Sequence, residues 1–353
     1  MPRRRSLLLS STALLGLAAA EARGQAPTPN AGPVGGQVVA GQAAISRAPN
    51  RTTVNQGSDR AAIDWQQFNV GRDHTVQFVQ PSRNAWTLNR VTGPDPSVIA
   101  GRIQANGGVA LVNPAGVLFS QGSQVNVGSL IATPSDITNE NFMAGRMRFD
   151  GPPRPGARVE NHGEVTVAER GLVVLAGPRV ANTGTIRARM GRVALQGGAE
   201  GVTLDLAGDG LLSIDVTRAV REGTGGTALV TNTGVIEARG GSVVIGAHAA
   251  SGLVEDLVDQ RGAVIAARVR IRAEGGNVAL DAGRVTAPSG QVEVSAGNGT
   301  VRVGRAARVS ANGRQAGTVQ IGGSDTRAVR VDGRVAARGR GDGARGGKVA
   351  LQA

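Results

Sequence analysis

Apolar and polar residues alternate in short runs along most of the chain, as Val-x-Val and Val-x-Leu triplets: "VTV" at Val165, "VAL" at Val193, "VEV" at Val292. Glycine, asparagine or proline breaks the alternation every few residues. A period of two with such punctuation predicts many short β-strands joined by tight turns.

The pattern also repeats. "VENHGEVTVAERGLVVLAG" begins at Val159, "VANTGTIRARMGRVALQGG" at Val180 and "VTNTGVIEARGGSVVIGAH" at Val230. Each carries an Asn-x-Gly, starting at Asn161, Asn182 and Asn232, spaced by 21 and then 50 residues. The longer step holds an irregular insertion, "GVTLDLAGDGLLSIDVTRAVREGTGGT". A repeat of ~20 residues built from short strands is one coil of a solenoid. The leucine-rich pattern is missing, and propeller blades need about 40 residues each. The expected fold is all-β: a right-handed parallel β-helix (solenoid) with an N-terminal cap. Strands are expected from about Ala62 to Ala350, with little helix. Val165, Ile186, Ile236 and Val243 should point inward and stack on their like. Asn-Gly and Gly-Gly are expected to make the corners, where positive φ is needed, and asparagines at equivalent corners to stack into a side-chain ladder. At ~21 residues per coil the chain would make roughly 15 coils, a rod of ~70 Å at the inter-strand spacing.

Composition narrows the chemistry. The 353 residues include 54 Gly and no Cys or Tyr, and aromatics make only 2%. Val, Ala, Leu and Ile must therefore build the core. The N-terminal "MPRRRSLLLSSTALLGLAAAEARGQAP" has the parts of an export leader. Arg3 to Arg5 form its charged region, Leu7 to Ala20 its apolar region, and small residues at Ala18 to Gly24 offer cleavage sites. The apolar stretch is shorter than the ~20 residues that span a bilayer, so no transmembrane segment is expected in the mature chain. Absence of cysteine fits a chain that passes an oxidising compartment without disulfides. The net charge of +13 comes almost wholly from arginine, Lys348 being the sole lysine. Such basicity suits an anionic partner, a cell-surface glycan or other polyanion. The arginines are dispersed and no aromatic platform for bases accompanies them, so nucleic acid is not expected as a partner.

"LVNPAGVLFSQGSQVNVGSLIATP", from Leu111, holds no Cys, His or acid yet reads as highly specified. Asn113-Pro114-Ala115-Gly116 fits a type I β-turn between the strands "GVALV" and "GVLFS". Alone it would be one more solenoid corner. It stands, however, in an ordered set. Trp65-x-x-Phe68-Asn69 comes first, then Val76-x-Phe78 and Leu88-Asn89-Arg90-Val91. "GRIQANG", Asn113-Pro114-x-Gly116-Val117 and "SQVNVGSLIATPSDITNENF" follow. This set, over about 120 residues, resembles the N-terminal secretion domain (haemagglutination activity domain) of two-partner secretion exoproteins of the filamentous haemagglutinin type.

The resemblance implies export unfolded across the inner membrane, with the leader cleaved. A cognate outer-membrane β-barrel transporter with periplasmic receptor domains then recognises the secretion domain, and the chain folds outside. It implies a leader at 1–24, a secretion domain at 25–150 and a β-helical extension at 151–353. The product would be secreted or held at the cell surface, with an adhesin or haemagglutinin-like role and no cofactor. The secretion motif residues are Asn113, Pro114, Gly116, Asn89, Arg90 and Asn126. Two features depart from the family pattern. Ala115 stands where Asn is usual, and a second Asn-Pro-Asn-Leu motif is absent, with "GPDPS" from Gly93 near its place.

A polysaccharide-active enzyme on the same scaffold would need clustered carboxylates. Asp205, Asp209 and Asp215 in the insertion, and Glu255, Asp256 and Asp259 in "GLVEDLVDQRG", are the candidates; the second set reads as a short helix or loop with acids facing water. His74, His162 and His248 lie far apart, without Cys partners, and do not read as a metal site. Arg340-Gly341-Asp342 matches an adhesion tripeptide inside an Arg/Gly turn where it arises readily by chance. The terminal "GGKVALQA" stops mid-coil without a polar cap, which leaves a truncated remnant of a larger exoprotein as a further reading.

Overall fold

The computed structural model describes residues 26–205, 213–219, 228–250, 254–341 and 343–353. Within them the chain winds as a parallel β-helix with three columns of stacked strands. The first column climbs from Arg51–Gln56 through Thr75–Val79, Arg102–Ala105, Gln124–Val127 and Glu164–Val167 to Arg334–Ala336. The second runs from Arg60–Trp65 through Trp86–Val91, Gly108–Val112 and Ser129–Thr133 to Lys348–Gln352. The third is a nine-stranded sheet containing Ser97–Ile99, Val117–Phe119 and Arg158–Asn161. Val235–His248 and Ala263–Glu274 turn the corner unbroken and serve both the first and second columns.

Like stacks on like inside. Val125, Val165, Ile186, Ile236, Val264 and Val285 follow one another in register, none more than 3% exposed. Val243 is equally sealed. Each inward side chain thus meets partners one rung above and below, and the core is a continuous apolar file rather than a closed cluster.

The asparagine ladder forms as expected. Asn161, Asn182 and Asn232 share one register position, are fully buried, and link to one another and to Gln260 through side-chain amides. Gly240, Gly275 and Gly322, each the first of a Gly-Gly pair, have the positive φ expected of such corners; the Asn-x-Gly glycines serve another purpose. Gly163, Gly184 and Gly234 are not among the positive-φ residues. A Cβ on Gly184 would instead lie 2.1 Å from the Gly163 carbonyl oxygen, and one on Gly234 2.1 Å from that of Gly184. Close approach of successive backbones excludes any side chain there.

Strands begin at Gln37, ahead of the expected Ala62. Gln37–Ala40 pairs antiparallel with Arg60–Trp65, and Ala43–Ala48 forms a hairpin with Arg51–Gln56. This cap closes the N-terminal end of the stack. Its outer strand is largely exposed and carries little hydrophobic pattern, so its sequence is a weak signal. The first column holds eleven strands among the described residues, fewer than the ~15 coils expected. At the usual spacing those rungs rise ~50 Å. The difference is chain spent outside the stack.

Two excursions account for much of it. Residues 134–157 leave the second column as a flap with a short helix, Asn139–Met143, capped by Thr138. The flap lays Ile137, Phe142, Met147 and Phe149 on the outer face of the second column, against Ala62, Leu88, Ala110 and Val112. That second core explains why Gly108–Val112 is buried at every position and does not alternate. The insertion supplies a hairpin, Ala199–Asp205 with Ser213–Ala219, which joins Arg148–Phe149 in a small antiparallel sheet.

Candidate secretion-motif corner

The motifs lie about 20 to 25 residues apart in sequence and one rung apart in space. Asp64 pairs in register with Arg90, Arg90 with Val112, and Val112 with Thr133. Each strand of the second column therefore delivers its motif to the same edge of the rod.

Asn113 directly follows the strand Gly108–Val112 and is fully buried. Its Nδ2 donates to the Asp95 carbonyl and to Ser97 Oγ, both at 3.0 Å, and its Oδ1 accepts from Ala115 N–H at 2.9 Å. Gly116 N–H returns to the Asn113 carbonyl at 2.8 Å and closes the turn. Asx-type self-bonding of this kind holds a corner locally. The side chain also clamps the rung beneath, and its seat there is the "GPDPS" loop. Gly116 has φ of +112°, and a Cβ on it would lie 2.6 Å from the Arg158 carbonyl oxygen. Glycine is needed here on both counts. The Pro114 carbonyl accepts from Arg154 N–H at 2.8 Å, and the Arg154 guanidinium reaches the Pro94 carbonyl at 2.6 Å. The flap's last residues thus strap the corner. Ala115 contributes its backbone to the turn and leaves its side chain half-buried.

Asn89 lies in an inward row, between Ile63 and Leu111, with no exposure. A polar group there needs a partner, and Trp65 Nε1 supplies it, donating to Asn89 Oδ1 at 3.1 Å. Trp65 in turn meets Phe68 edge-on with ring centres 5.6 Å apart. Arg90 points the other way. It reaches Asp64 and Asp136 at 2.8 Å each and donates to the Ile137 carbonyl at 2.5 Å. Burial opposes its charge; hydrogen bonds and attraction from Asp136 and Asp64 outweigh that and hold the guanidinium above its ordinary value. Arg90 latches the flap to the stack beside an open cleft of about 280 Å³ lined by Asp136, Asn139 and Asp150. Asn126 is separate: it is exposed on the first column, level with Gln104 and Thr166. Asp64, Asp95, Ser97 and Asp136 are the partners that sequence reasoning did not single out. Their signal was their place inside or beside the quoted motifs.

The other candidates do not converge. Asp256–Gln260 is a strand of the third column, correcting the helix or loop reading; Leu257 and Val258 enter the core and Glu255 precedes it, exposed. Asp256 meets Arg302 at 3.0 Å and Asp259 meets Arg261 at 2.8 Å. Asp205 and Asp215 lie on the two strands of the insertion hairpin; Asp209, Asp342 and the leader fall outside the described residues. His74 is buried against Thr52, and His162 bridges Glu160 and Thr183. No group of three or more His, Cys, Asp or Glu that could hold a metal occurs among the described residues. No described helix is long and apolar enough to cross a membrane.

The sequence profile of the TPS secretion domain matches residues 30–274, most of the chain. The chain belongs to this family of two-partner secretion domains. A heme/hemopexin-binding protein of Haemophilus influenzae is 35% identical over 213 residues, 58% of this chain and 23% of that protein. A second heme/hemopexin-binding protein from Haemophilus influenzae is 46% identical over 88 residues, 25% of this chain and 10% of the relative. This secretion-domain chain thus spans under a quarter of the curated relatives it matches. The crystal structure of the HMW1 secretion domain from Haemophilus influenzae superposes with a TM-score of 0.74 at 23% identity, over 90% of this chain and 94% of that one. That likeness shows the same β-helical fold.

Proposed function

We propose that the chain is exported unfolded behind a cleaved leader at residues 1–24 and passes through a cognate outer-membrane β-barrel. The barrel's periplasmic receptor domains recognise residues 25–150, and residues 151–353 extend the rod as a surface-contact, adhesin-like segment. Family membership supports the route. The observation that carries the mechanism is the complete burial of Asn113 between its own turn and the rung below. A side chain sealed in that way is accessible only before the rung closes, so the receptor reads the motif in the extended chain. Strand addition to a receptor edge reads such a segment through backbone and alternating side chains, without reactive groups.

Folding then supplies direction. Each rung needs only its neighbour, so stacking outside the membrane proceeds rung by rung and disfavours return. The Asn113 corner, the Arg90 latch and the flap close the early rungs on which the rest stack. The reading is tested by producing the chain with and without its cognate barrel. Export must depend on the barrel; undiminished release in its absence would refute the proposal. The rod is read as a contact surface rather than an enzyme, because Asp256, Asp259 and Asp281 are all engaged by arginines.

A further inference from the structure

Three arginines share one register position on consecutive rungs of the first column: Arg284, Arg308 and Arg334. All three are exposed, while Val285 and Val309 beside them point into the core. Lower in the same column the position holds, from the bottom, Arg51, Thr75, Arg102, Gln124, Glu164, Thr185, Val235 and Ala263, so no two arginines there are consecutive. The single-sign run is therefore confined to the last three rungs.

Like charges stacked at ~4.8 Å repel one another and weaken a sheet. Several other strand arginines are paired with acids. Arg270 meets Glu293, Arg272 meets Glu274, and Arg330 meets Asp332. Arg284, Arg308 and Arg334 have no carboxylate partner among the described residues. The nearest acids in sequence, Asp281 and Asp332, are held by Arg302 and Arg330. Three exposed arginines thus stand in a line along the rod, placed by strand register, with no carboxylate on their guanidinium donors.

We infer that this ladder is a binding strip for a linear acidic polysaccharide lying along the rod axis. A guanidinium pairs with carboxylate or sulfate alike through two parallel N–H bonds. A line of forks at the rung spacing suits anionic groups carried at regular intervals on an extended polymer. A nucleic acid fits less well, because Trp65, Trp86 and every phenylalanine are buried and no ring is offered for base stacking. The outward neighbours Thr286 and Ser310 add hydroxyls beside the forks for sugar hydroxyl groups. The inference rests on the export reading only for where such a polymer is met, and it is tested on purified chain, so either can fail alone.

The test is titration of the mature full chain with polygalacturonate (carboxylate) and with dextran sulfate (sulfate) over a range of salt. Both are expected to bind. Replacing Arg284, Arg308 and Arg334 together by Gln should weaken both at least tenfold. It should also flatten the dependence of log Kd on log salt by about three, one per lost contact. A control of equal charge, Arg270→Gln with Arg272→Gln and Arg330→Gln, should change Kd less than threefold. Arg308→Gln alone removes the middle fork and should cost at least threefold, which keeps the test open if the triple variant folds poorly. Equal losses from ladder and control would overturn the inference, since net charge would then suffice. Single-stranded DNA bound as tightly, with the same loss on ladder replacement, would also overturn it.

Discussion

Asn161 donates its Nδ2 hydrogen to Asn182 Oδ1 at 2.7 Å, and both side chains are fully buried. Asn182 repeats the bond to Asn232 at 2.7 Å, and Asn232 repeats it to Gln260 at 2.7 Å. A buried amide needs both a donor and an acceptor partner, and the rung spacing provides one on each side. The ladder therefore links rungs whose sequences lie 21, 50 and 28 residues apart.

Removing a middle member orphans two neighbours. Asn182→Ala leaves the Asn161 amide hydrogen and the Asn232 oxygen without their ladder partners, and the expected cost is about 3 kcal/mol. Asn126→Ala, on the exposed face, should stay within ~0.5 kcal/mol. Urea denaturation followed by circular dichroism measures both. Similar losses for the two would show that the ladder does not stabilise the stack.

The glycine beside each ladder asparagine makes a second test. Gly234→Ala forces a methyl group to 2.1 Å from the Gly184 carbonyl, backbone against backbone, so the rung must shift. A loss of about 3 kcal/mol is expected. Gly156 has φ of +77° and open space around it, so Gly156→Ala should cost only about 1 kcal/mol. Equal costs would mean that dihedral strain, and not rung contact, sets the requirement.

The strand periodicity, the inward Val and Ile files and the asparagine ladder were legible in the sequence because a solenoid repeats its own local rule. An N-terminal cap was expected, but its strands before Ala62 were not, since Ala43–Ala48 is mostly solvent-facing and has no pattern to read. The flap was hidden for another reason. Its partners, Ala62, Leu88 and Ala110, sit on the outward face of strands whose inward face already explained their hydrophobicity. Asn113, Asn89 and Arg90 could be named from their motifs. Their bonds could not, because Asp64, Asp95 and Asp136 are brought to them by register across rungs.

The flap depends on Arg90. Arg90→Ala removes three bonds at once and leaves Asp64 and Asp136 without their cation, for a loss of about 2 kcal/mol, partners half-exposed as they are. Phe142, Met147 and Phe149 should become exposed, so limited proteolysis within 137–150 should accelerate. Arg90→Lys should not restore protection, because an ammonium lacks the planar fork that spans these acceptors. Unchanged cleavage in both variants would remove the latch from the account.

Near the C-terminal rungs, a hydrogen bond from Arg302 holds the Asp281 carboxyl below its ordinary value, against the opposing effect of burial. A depressed folded value means that the pair's contribution is complete above the usual aspartate range, about pH 4, and is lost as pH falls through the lower folded value. Stability should therefore decline as pH falls below about 4, and Asp281→Asn should flatten that decline. Thermal melts across pH 2.5 to 7 read both; an identical acid slope in the variant would count against the pair.

The corner at Asn113 separates a folding role from a recognition role. If Asn113 is only a corner, Asn113→Ala loses bonds to Asp95 and Ser97, costs about 2 kcal/mol, and leaves export intact. If the transporter's receptor reads the extended motif, export fails while purified, refolded protein still shows the native β signal. Pro114 and Gly116 sharpen the comparison. Pro114 fixes φ at the turn and should affect both roles modestly. Gly116 is required in the closed rung, where a Cβ would meet the Arg158 carbonyl, but not in an extended chain. Gly116→Ala should therefore be bound and engaged by the receptor yet refold slowly, and Asn113→Ala should show the reverse. The measurement is the partition of the full chain between medium and periplasm in cells making the cognate barrel, with refolding rates taken in vitro. Normal secretion of a chain with Asn113, Pro114 and Gly116 all replaced would end the recognition role and leave the motif as a corner alone.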